Sequence, residues 1–234
     1  MTLNCNGKIL DFSTKKIMGI VNISKDSFFD GGQYDTIDKV NNQVSKLISN
    51  GADIIDLGAA SSKPGSKLIK PEDEFNLIYN YINELTSNFS KVLFSIDTYN
   101  SSVADFALSK GFSLVNDISS GKYDKNMFQV IKKHNAGYIM MHMKGDPINM
   151  QENINYDNVV DSIISFFKLK IQELEKLGFS NIIIDPGFGF GKSIDDNYVI
   201  LKNLKKVKSI ERPIMAGLSR KSMIYKVLNN SPKE

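Results

Sequence analysis

The feature of the sequence that most constrains its fold is a repeated alternation of short apolar runs with longer stretches of helical periodicity. The apolar runs are rich in Ile, Val, Leu and Phe, and each ends in polar or glycine residues. The predicted strands are residues 17–22, 53–57, 92–97, 114–117, 138–142, 182–185 and 213–217. Such alternation indicates βα units around a parallel sheet. We therefore predict an α/β fold with about seven βα units.

Helical stretches follow most of the predicted strands, and several begin with Ser, Asp or Pro, as helix starts prefer. The predicted helices are residues 38–50, 71–86, 101–110, 125–134, 156–177, 195–207 and 221–228. Gly51, Gly111, Gly137 and Gly178 each come just after such a stretch. Glycine adopts the left-handed conformation that ends a helix without a steric cost, so we expect a helix cap at all four.

Polar residues at the ends of the predicted strands decide between an open sheet and a closed barrel. The residues are Asn22, Asp56, Asp97, Asn116 with Asp117, His142, Asp185, and Ser219 with Arg220. The carboxyl ends of barrel strands meet at one mouth, whereas an open sheet binds ligands at one switch point. The pattern favours a TIM (βα)8-type barrel, with residues 1–234 as a single domain. Since one helical stretch follows the seventh strand, we expect a barrel without its eighth unit, and hence low stability or strong association.

Charge and cysteine content exclude several classes of protein. The 234 residues include 29 basic and 26 acidic side chains, and the paired lysines along the chain are typical of a solvated surface, so we expect no nucleic-acid partner. Cys5 is the only cysteine, which excludes a disulfide within the chain and fits a reducing compartment. No run approaches the ~18 apolar residues of a membrane span, and the polar start is unlike a signal peptide. We expect a cytoplasmic protein without membrane contact.

Two loops have the composition of ligand-binding segments. Residues 22–32 are polar and glycine-rich, and their Asn22, Asp26 and Asp30 could bind a hard cation or position a phosphate, although a solvated turn has the same composition. Residues 58–66 offer hydroxyls, a cation and backbone N–H groups, as an anion-binding loop does, but lack the P-loop spacing.

Later strand ends carry groups that suit a heterocyclic substrate. Asp97, Asn116 and Asp185 offer carboxylate and amide groups that could bind the donor-rich edge of an aminopyrimidinone. Arg220 and Lys221 follow the last strand, where barrels commonly bind phosphate. The glycines of residues 185–192 do not make a dinucleotide fingerprint, because the following acidic residue is missing. His142 fits a core histidine as well as a ligand, and a zinc site is improbable with two histidines and one cysteine.

These blocks, in this order, resemble the dihydropteroate synthases. The matching segments are MGIVN at 18–22, DSF at 26–28, DGG at 30–32, SIDTY at 95–99, NDI at 116–118, MHM at 141–143, DPGFGFGK at 185–192 and GLSRKS at 217–222. The resemblance implies a TIM-barrel transferase of folate biosynthesis. Such an enzyme joins 6-hydroxymethyl-7,8-dihydropterin pyrophosphate to p-aminobenzoate, with Mg2+ assisting the departure of pyrophosphate.

The resemblance also assigns roles residue by residue. Pterin contacts would come from Asp97, Asn116, Ile118, Met141, Asp185 and Lys221. The p-aminobenzoate pocket and its loops would comprise Asp26, Phe28, Asp30, Ser62, Lys63, Pro64, Phe190 and Ser219, and sulfonamides would compete there. Asn22 would bind Mg2+, and the reaction would depend on Asp97, Lys221 and Asn22. The family usually forms homodimers.

One loop departs from the family pattern. Where the family usually has Glu, Thr and Arg in its second loop, this chain has Ala60, Ser62 and Lys63. Lysine keeps the charge of arginine but loses its bidentate geometry. The altered loop and the missing eighth unit favour an inactive pterin-binding relative as one alternative. A methyltetrahydrofolate-dependent methyltransferase, which shares the barrel and the pterin pocket, is another.

Overall fold

The computed structural model describes residues 1–23, 37–59, 65–152 and 154–231. They fall into two compact units. The first unit comprises Met1–Ser61, Leu68–Asp117 and Gly121–Tyr138, and the second comprises Ser62–Lys67, Ile118–Ser120 and Ile139–Glu234. The single domain inferred from the sequence stays a prediction.

The first unit opens with an antiparallel hairpin that our sequence analysis missed. Its strands are β1 (Thr2–Cys5) and β2 (Lys8–Asp11). The turn between them is Asn6-Gly7, with φ angles of 52° and 81°. Two consecutive positive φ angles suit a tight hairpin turn, and Asn-Gly is its strongest short-range signal.

Four parallel strands form the sheet of the first unit, in the order β3 (Met18–Asn22), β4 (Ile54–Gly58), β5 (Leu93–Asp97) and β6 (Leu114–Asp117). Their helices are α1 (Ile37–Ser49), α2 (Pro71–Asn88), α3 (Ser101–Ser109) and α4 (Met127–Lys133). Strand β4 is buried along its whole length, as expected for a parallel strand covered on both faces. All four strands confirm the sequence predictions to within a residue at each end.

The second unit contains most of β7 (Gly137–Met141) and all of β8 (Ile182–Asp185). At their ends, the His142 N–H donates to the Asp185 carbonyl at 2.9 Å. The helices are α5 (Val159–Lys176), α6 (Ile194–Lys202), α7 (Leu204–Val207), a 3-10 turn (Lys208–Ile210) and α8 (Ser222–Tyr225). Ser193 and Asp196 cap α6 reciprocally, which fixes where the helix begins.

Four local predictions were wrong. The predicted strand at 213–217 is reduced to a single bridge between Ile214 and Ile184. The predicted helix at 195–207 is interrupted at Asn203, and the one at 221–228 is reduced to α8. Gly137 lies in β7 rather than at a helix cap, and a Cβ there would come within 2.7 Å of the Cys5 Sγ. Close packing, not a left-handed turn, explains that glycine.

No helix within the described ranges is long and apolar enough to cross a membrane.

Candidate active site

A row of polar side chains lies at the carboxyl end of the first unit's sheet. In the strand register, Asn22 is opposite Gly58, Gly58 is opposite Asp97, and Asp97 is opposite Asn116. Residues paired in this way point to the same face, about 4.8 Å apart from strand to strand. The structure therefore brings together three of the predicted site residues. We call Asn22, Gly58, Asp97 and Asn116 the strand-end row.

Gly58 leaves open space between two members of this row. A Cβ at Gly58 would lie 3.1 Å from Asp97 Oδ2 and 3.3 Å from Asn22 Oδ1. A carboxylate oxygen and an amide oxygen thus face the same bare stretch of backbone. Oxygen donors of this kind suit Mg2+, which keeps several waters and takes few protein ligands. The residues present fit the predicted cation.

The orientation of Asn116 is set by a buried carboxylate. Asn116 Nδ2 donates to Asp56 Oδ2 at 2.9 Å, and the Asp56 side chain is 3% exposed. Since the bond uses the amide nitrogen, the Asn116 oxygen is directed away from Asp56 and can accept from a ligand. Asp56 Oδ1 has no hydrogen-bond partner among the described residues.

The surroundings of Asp97 oppose its negative charge. Burial raises the pKa of Asp97 well above its ordinary value, and the nearby carboxylates of Asp56, Glu74 and Asp117 raise it further. A buried group surrounded by like charges gains most from a positively charged ligand. This end of the sheet is therefore suited to bind a cation or to stabilise positive charge that develops on a substrate.

A buried glutamate from α2 holds the segment that follows Asp97. Glu74 Oε2 accepts hydrogen bonds from Thr98 Oγ1 at 2.9 Å and from Asn100 Nδ2 at 2.5 Å. Its side chain is fully buried, and burial raises its pKa to about 7, against the opposing effect of those two hydrogen bonds. The bonds fix the turn between β5 and α3, and with it the end of the strand that carries Asp97.

In the second unit, Asp185 lies among cations. Its Oδ1 accepts from the Gly187 N–H at 2.8 Å. Burial raises the pKa of Asp185, whereas the Gly187 bond and the charges of Lys221 and Lys192 lower it. The same burial lowers the pKa of Lys221, and Asp185 opposes that shift.

The second unit also contains four other predicted site residues, Ile118, Met141, Phe190 and Ser219. Lys221 Nζ is 4.2 Å from the centroid of the Phe190 ring, a cation–π distance. Ile118 and Met141 are buried apolar side chains, 8% and 3% exposed. Ser219 is exposed.

His142 behaves as a core residue. It is 7% exposed, and its ring contacts Phe166 edge to face with centroids 5.2 Å apart. Burial lowers the pKa of His142 to about 3, helped by the charge of Lys192, so the ring is neutral at physiological pH. Of the two readings that the sequence allowed, the structure favours the core histidine.

Six predicted site residues lie outside the described part of the chain. They are Asp26, Phe28, Asp30, Ser62, Lys63 and Pro64. Within the described part, no cluster of three or more His, Cys, Asp or Glu side chains is arranged to hold a metal ion. A single protein oxygen with water and phosphate ligands, as predicted for Asn22, does not need such a cluster.

Sequence reasoning missed two buried charged residues, Glu74 in the first unit and Lys192 in the second. Glu74 lies in the acidic first turn of α2, a position where acids are common on exposed surfaces as well. Lys192 ends the glycine-rich segment of residues 185–192, and the family resemblance assigned no role to this lysine. Neither position carries a sequence signal for burial, because burial of these residues follows from tertiary packing.

Comparisons with known proteins identify the family of this chain. Residues 18–234 match the family model described as pterin binding enzyme. A dihydropteroate synthase from Clostridium beijerinckii is 39% identical over 215 residues, covering 91% of this chain and 77% of the relative. A mitochondrial folate synthesis bifunctional protein from Arabidopsis thaliana is 38% identical over 233 residues, covering 93% of this chain and 42% of the relative.

The fold is also that of a solved dihydropteroate synthase. The Yersinia pestis enzyme, determined in complex with a sulfonamide drug, matches with a TM-score of 0.93 and 34% identity, over 100% of this chain and 85% of that one. This likeness confirms the predicted α/β class of the TIM-barrel type. The chain therefore belongs to the pterin-binding enzyme family, among the dihydropteroate synthases.

Proposed function

We propose that this chain joins 6-hydroxymethyl-7,8-dihydropterin pyrophosphate to p-aminobenzoate, as the dihydropteroate synthase family does. The observation that carries the proposal is the strand-end row, in which Asp97 is partly buried beside three other carboxylates. That arrangement disfavours negative charge in the free protein and favours a ligand that becomes positive during its reaction.

The reaction exchanges one bond to carbon for another. The amine nitrogen of p-aminobenzoate forms a bond to the exocyclic methylene carbon of the pterin, while the bond from that carbon to the pyrophosphate oxygen breaks. The amine then loses a proton to water. As the pyrophosphate leaves, positive charge builds up on the methylene and the pterin ring, and the Asp97 carboxylate stabilises it.

Asp97 and Asn116 supply hydrogen bonds to the pterin, and Asp97 supplies charge as well. Asn116 offers its amide oxygen, since Asp56 holds its nitrogen. A buried, oriented acceptor rejects a substrate that lacks the matching donor, because the acceptor would be left unpaired. Asp97 and Asn116 therefore bind the donor-rich edge of the heterocycle.

Asp185 supplies a carboxylate and Lys221 a cation. Asp185, oriented by the Gly187 N–H, accepts hydrogen bonds from the pterin, and Lys221 donates to it. Ile118 and Met141 provide apolar surface against the ring. Phe190, whose ring lies under the Lys221 ammonium, and Ser219 belong to the p-aminobenzoate pocket.

Mg2+ is part of the proposal, with Asn22 as its protein ligand. When bound, the ion would neutralise charge on the departing pyrophosphate. Asn22 Oδ1 faces the open backbone of Gly58 beside Asp97, where an oxygen-seeking cation finds suitable donors. We also propose that Asp26, Phe28, Asp30, Ser62, Lys63 and Pro64 belong to the p-aminobenzoate pocket and its loops, that the chain forms homodimers and that it acts in the cytoplasm.

The test is product formation by the purified chain. The chain is incubated with dihydropterin pyrophosphate, p-aminobenzoate and Mg2+, and dihydropteroate and pyrophosphate are quantified. We expect both products in equal amounts, and their loss in an Asp97→Ala variant but not in an Asp195→Ala variant, whose aspartate is exposed on α6. Binding of the pterin without turnover would instead identify an inactive relative, and methyl transfer from methyltetrahydrofolate would identify the related methyltransferase.

A further inference from the structure

Lys192 is a buried cation whose every donor is already engaged. Its side chain is 3% exposed, and its Nζ donates to the backbone carbonyls of His142, Gly187 and Phe190, each at 2.9 Å. An ammonium group has three N–H donors. Since all three are used within the protein, Lys192 has none left for a substrate.

The three carbonyls belong to two different segments of the second unit. His142 follows β7, whereas Gly187 and Phe190 lie in residues 186–191, which we call the glycine loop. The loop runs very close to the end of β7, because a Cβ at Gly187 would come within 2.1 Å of the His142 carbonyl oxygen. Lys192 therefore ties the loop to β7 at the point of closest approach.

The glycine loop in turn positions two residues of the proposed site. The Gly187 N–H holds the Asp185 carboxylate, and Phe190 places its ring beneath Lys221. Asp185 itself is fixed by backbone bonds, since its carbonyl accepts from His142. Phe190 lies in the loop itself, so its position depends more strongly on Lys192.

The three hydrogen bonds of Lys192 require its charged form, which prevails below about pH 7. Burial lowers the pKa of Lys192 to about 7, helped by the charge of Lys221 and opposed by Asp185 and Asp196. The neighbouring His142 ring is neutral. A neutral amine would lose one of the three N–H donors and leave one carbonyl without its bond.

We propose that Lys192 is a positioning residue, which clamps the glycine loop to the end of β7 and so places Phe190 for p-aminobenzoate binding without touching either substrate. The proposal rests on the proposed function for the identity of the substrate. The clamping itself can be measured without any substrate.

The first experiment compares hydrogen exchange in the wild-type chain and a Lys192→Met variant, which keeps the length of the side chain but loses all donors. A Lys202→Met variant, with the same change at an exposed position on α6, is the matched control. We expect amides of the glycine loop to exchange at least about tenfold faster in Lys192→Met, with α5 protected as in the wild type. Unchanged exchange of the loop would overturn the clamp.

The second experiment separates the two substrates. In Lys192→Met we expect the KM for p-aminobenzoate to rise about tenfold or more, while the Kd of dihydropterin pyrophosphate, measured by calorimetry, changes by less than about threefold. If the binding of both substrates were weakened equally, Lys192 would only maintain the fold. That result would contradict its role as a positioning residue. If the wild type made no product, the proposed function would fail while the exchange result still decided the clamp.

A third measurement leaves the chain unmutated, in case Lys192→Met does not fold. In wild-type protein labelled with 15N-lysine, we expect one slowly exchanging ammonium signal at about pH 6, because a buried group with three carbonyl acceptors is shielded from water. A Lys202→Met sample must retain that signal. Absence of any protected ammonium signal would overturn the proposal.

Discussion

The two units each carry a strand-end aspartate, but the surroundings of the two carboxylates differ. Asp97 in the first unit lies near the carboxylates of Asp56, Glu74 and Asp117, all of which raise its pKa. Asp185 in the second unit lies near Lys192 and Lys221, which lower its pKa and partly offset burial. Neighbouring charges therefore oppose the negative charge of the aspartate in the first unit and partly compensate it in the second.

This contrast distinguishes an aspartate that stabilises the fold from one that serves binding or catalysis. A compensated carboxylate stabilises its surroundings, and its removal leaves buried cations without a partner. A carboxylate among like charges costs stability, so its presence is better explained by binding or catalysis. The contrast predicts that matched substitutions in the two units have effects of opposite sign.

The largest effect on stability is expected for Asp185→Asn. Asparagine keeps the shape and can still accept from the Gly187 N–H, but it leaves Lys192 and Lys221 without the buried anion. We expect the free energy of unfolding at about pH 7, measured in urea, to fall by roughly 3 kcal/mol. An Asp161→Asn variant, changed at an exposed position on α5, is the control. Equal stability of Asp185→Asn and wild type would break the comparison.

A smaller effect is expected from Glu74→Gln, and it depends on pH. The pKa of Glu74 is raised from 4.5 to about 7, so between these values the folded chain binds more protons than the unfolded chain. Stability therefore falls as pH rises through that window. We expect the wild type to lose about 2 kcal/mol more than Glu74→Gln between about pH 5 and about pH 8 in urea unfolding. Parallel pH profiles of the two proteins would show that Glu74 is not buried as an acid.

The smallest effect, opposite in sign to that of Asp185→Asn, is expected for Asp97→Asn. Removing a carboxylate with a raised pKa relieves a cost, and a tenfold change in a dissociation constant corresponds to about 1.4 kcal/mol. At about pH 8, we expect the free energy of unfolding of the variant to be about 1 kcal/mol higher than that of the wild type. The control is Asp53→Asn, because the Ile17 N–H and Lys16 lower the pKa of Asp53 and its replacement should reduce stability. A loss of stability in Asp97→Asn would contradict the electrostatic account.

Much of the fold could be predicted from local pattern. Six of the predicted strands are present because each is an apolar run with polar or glycine residues at its end, a pattern that survives in almost any tertiary setting. The strand at 213–217 could not be separated from an extended connection, since only Ile214 forms a bridge. The hairpin was missed although Asn6-Gly7 signals it, because its strands are short.

The site could be predicted only in part, for a physical reason. Strand ends locate Asn22, Asp97 and Asn116, and the register confirms that they share one face. The burial of Glu74 and Lys192 is determined by the tertiary packing of helices and loops against the strands. Contacts between segments that are distant in the sequence produce no periodic pattern of apolar residues. The need for glycine at position 58 can be recognised only in the structure, where a Cβ would lie close to the side chains of Asn22 and Asp97.

We infer that Asp97 serves the reaction at a cost in stability. The most direct test is the kcat/KM of an Asp97→Asn variant for dihydropteroate formation. Asparagine retains the shape of the side chain and removes the charge. The account predicts a folded variant, at least as stable as the wild type, whose kcat/KM is lower by about 10²–10³-fold. A folded variant with wild-type kcat/KM would contradict it.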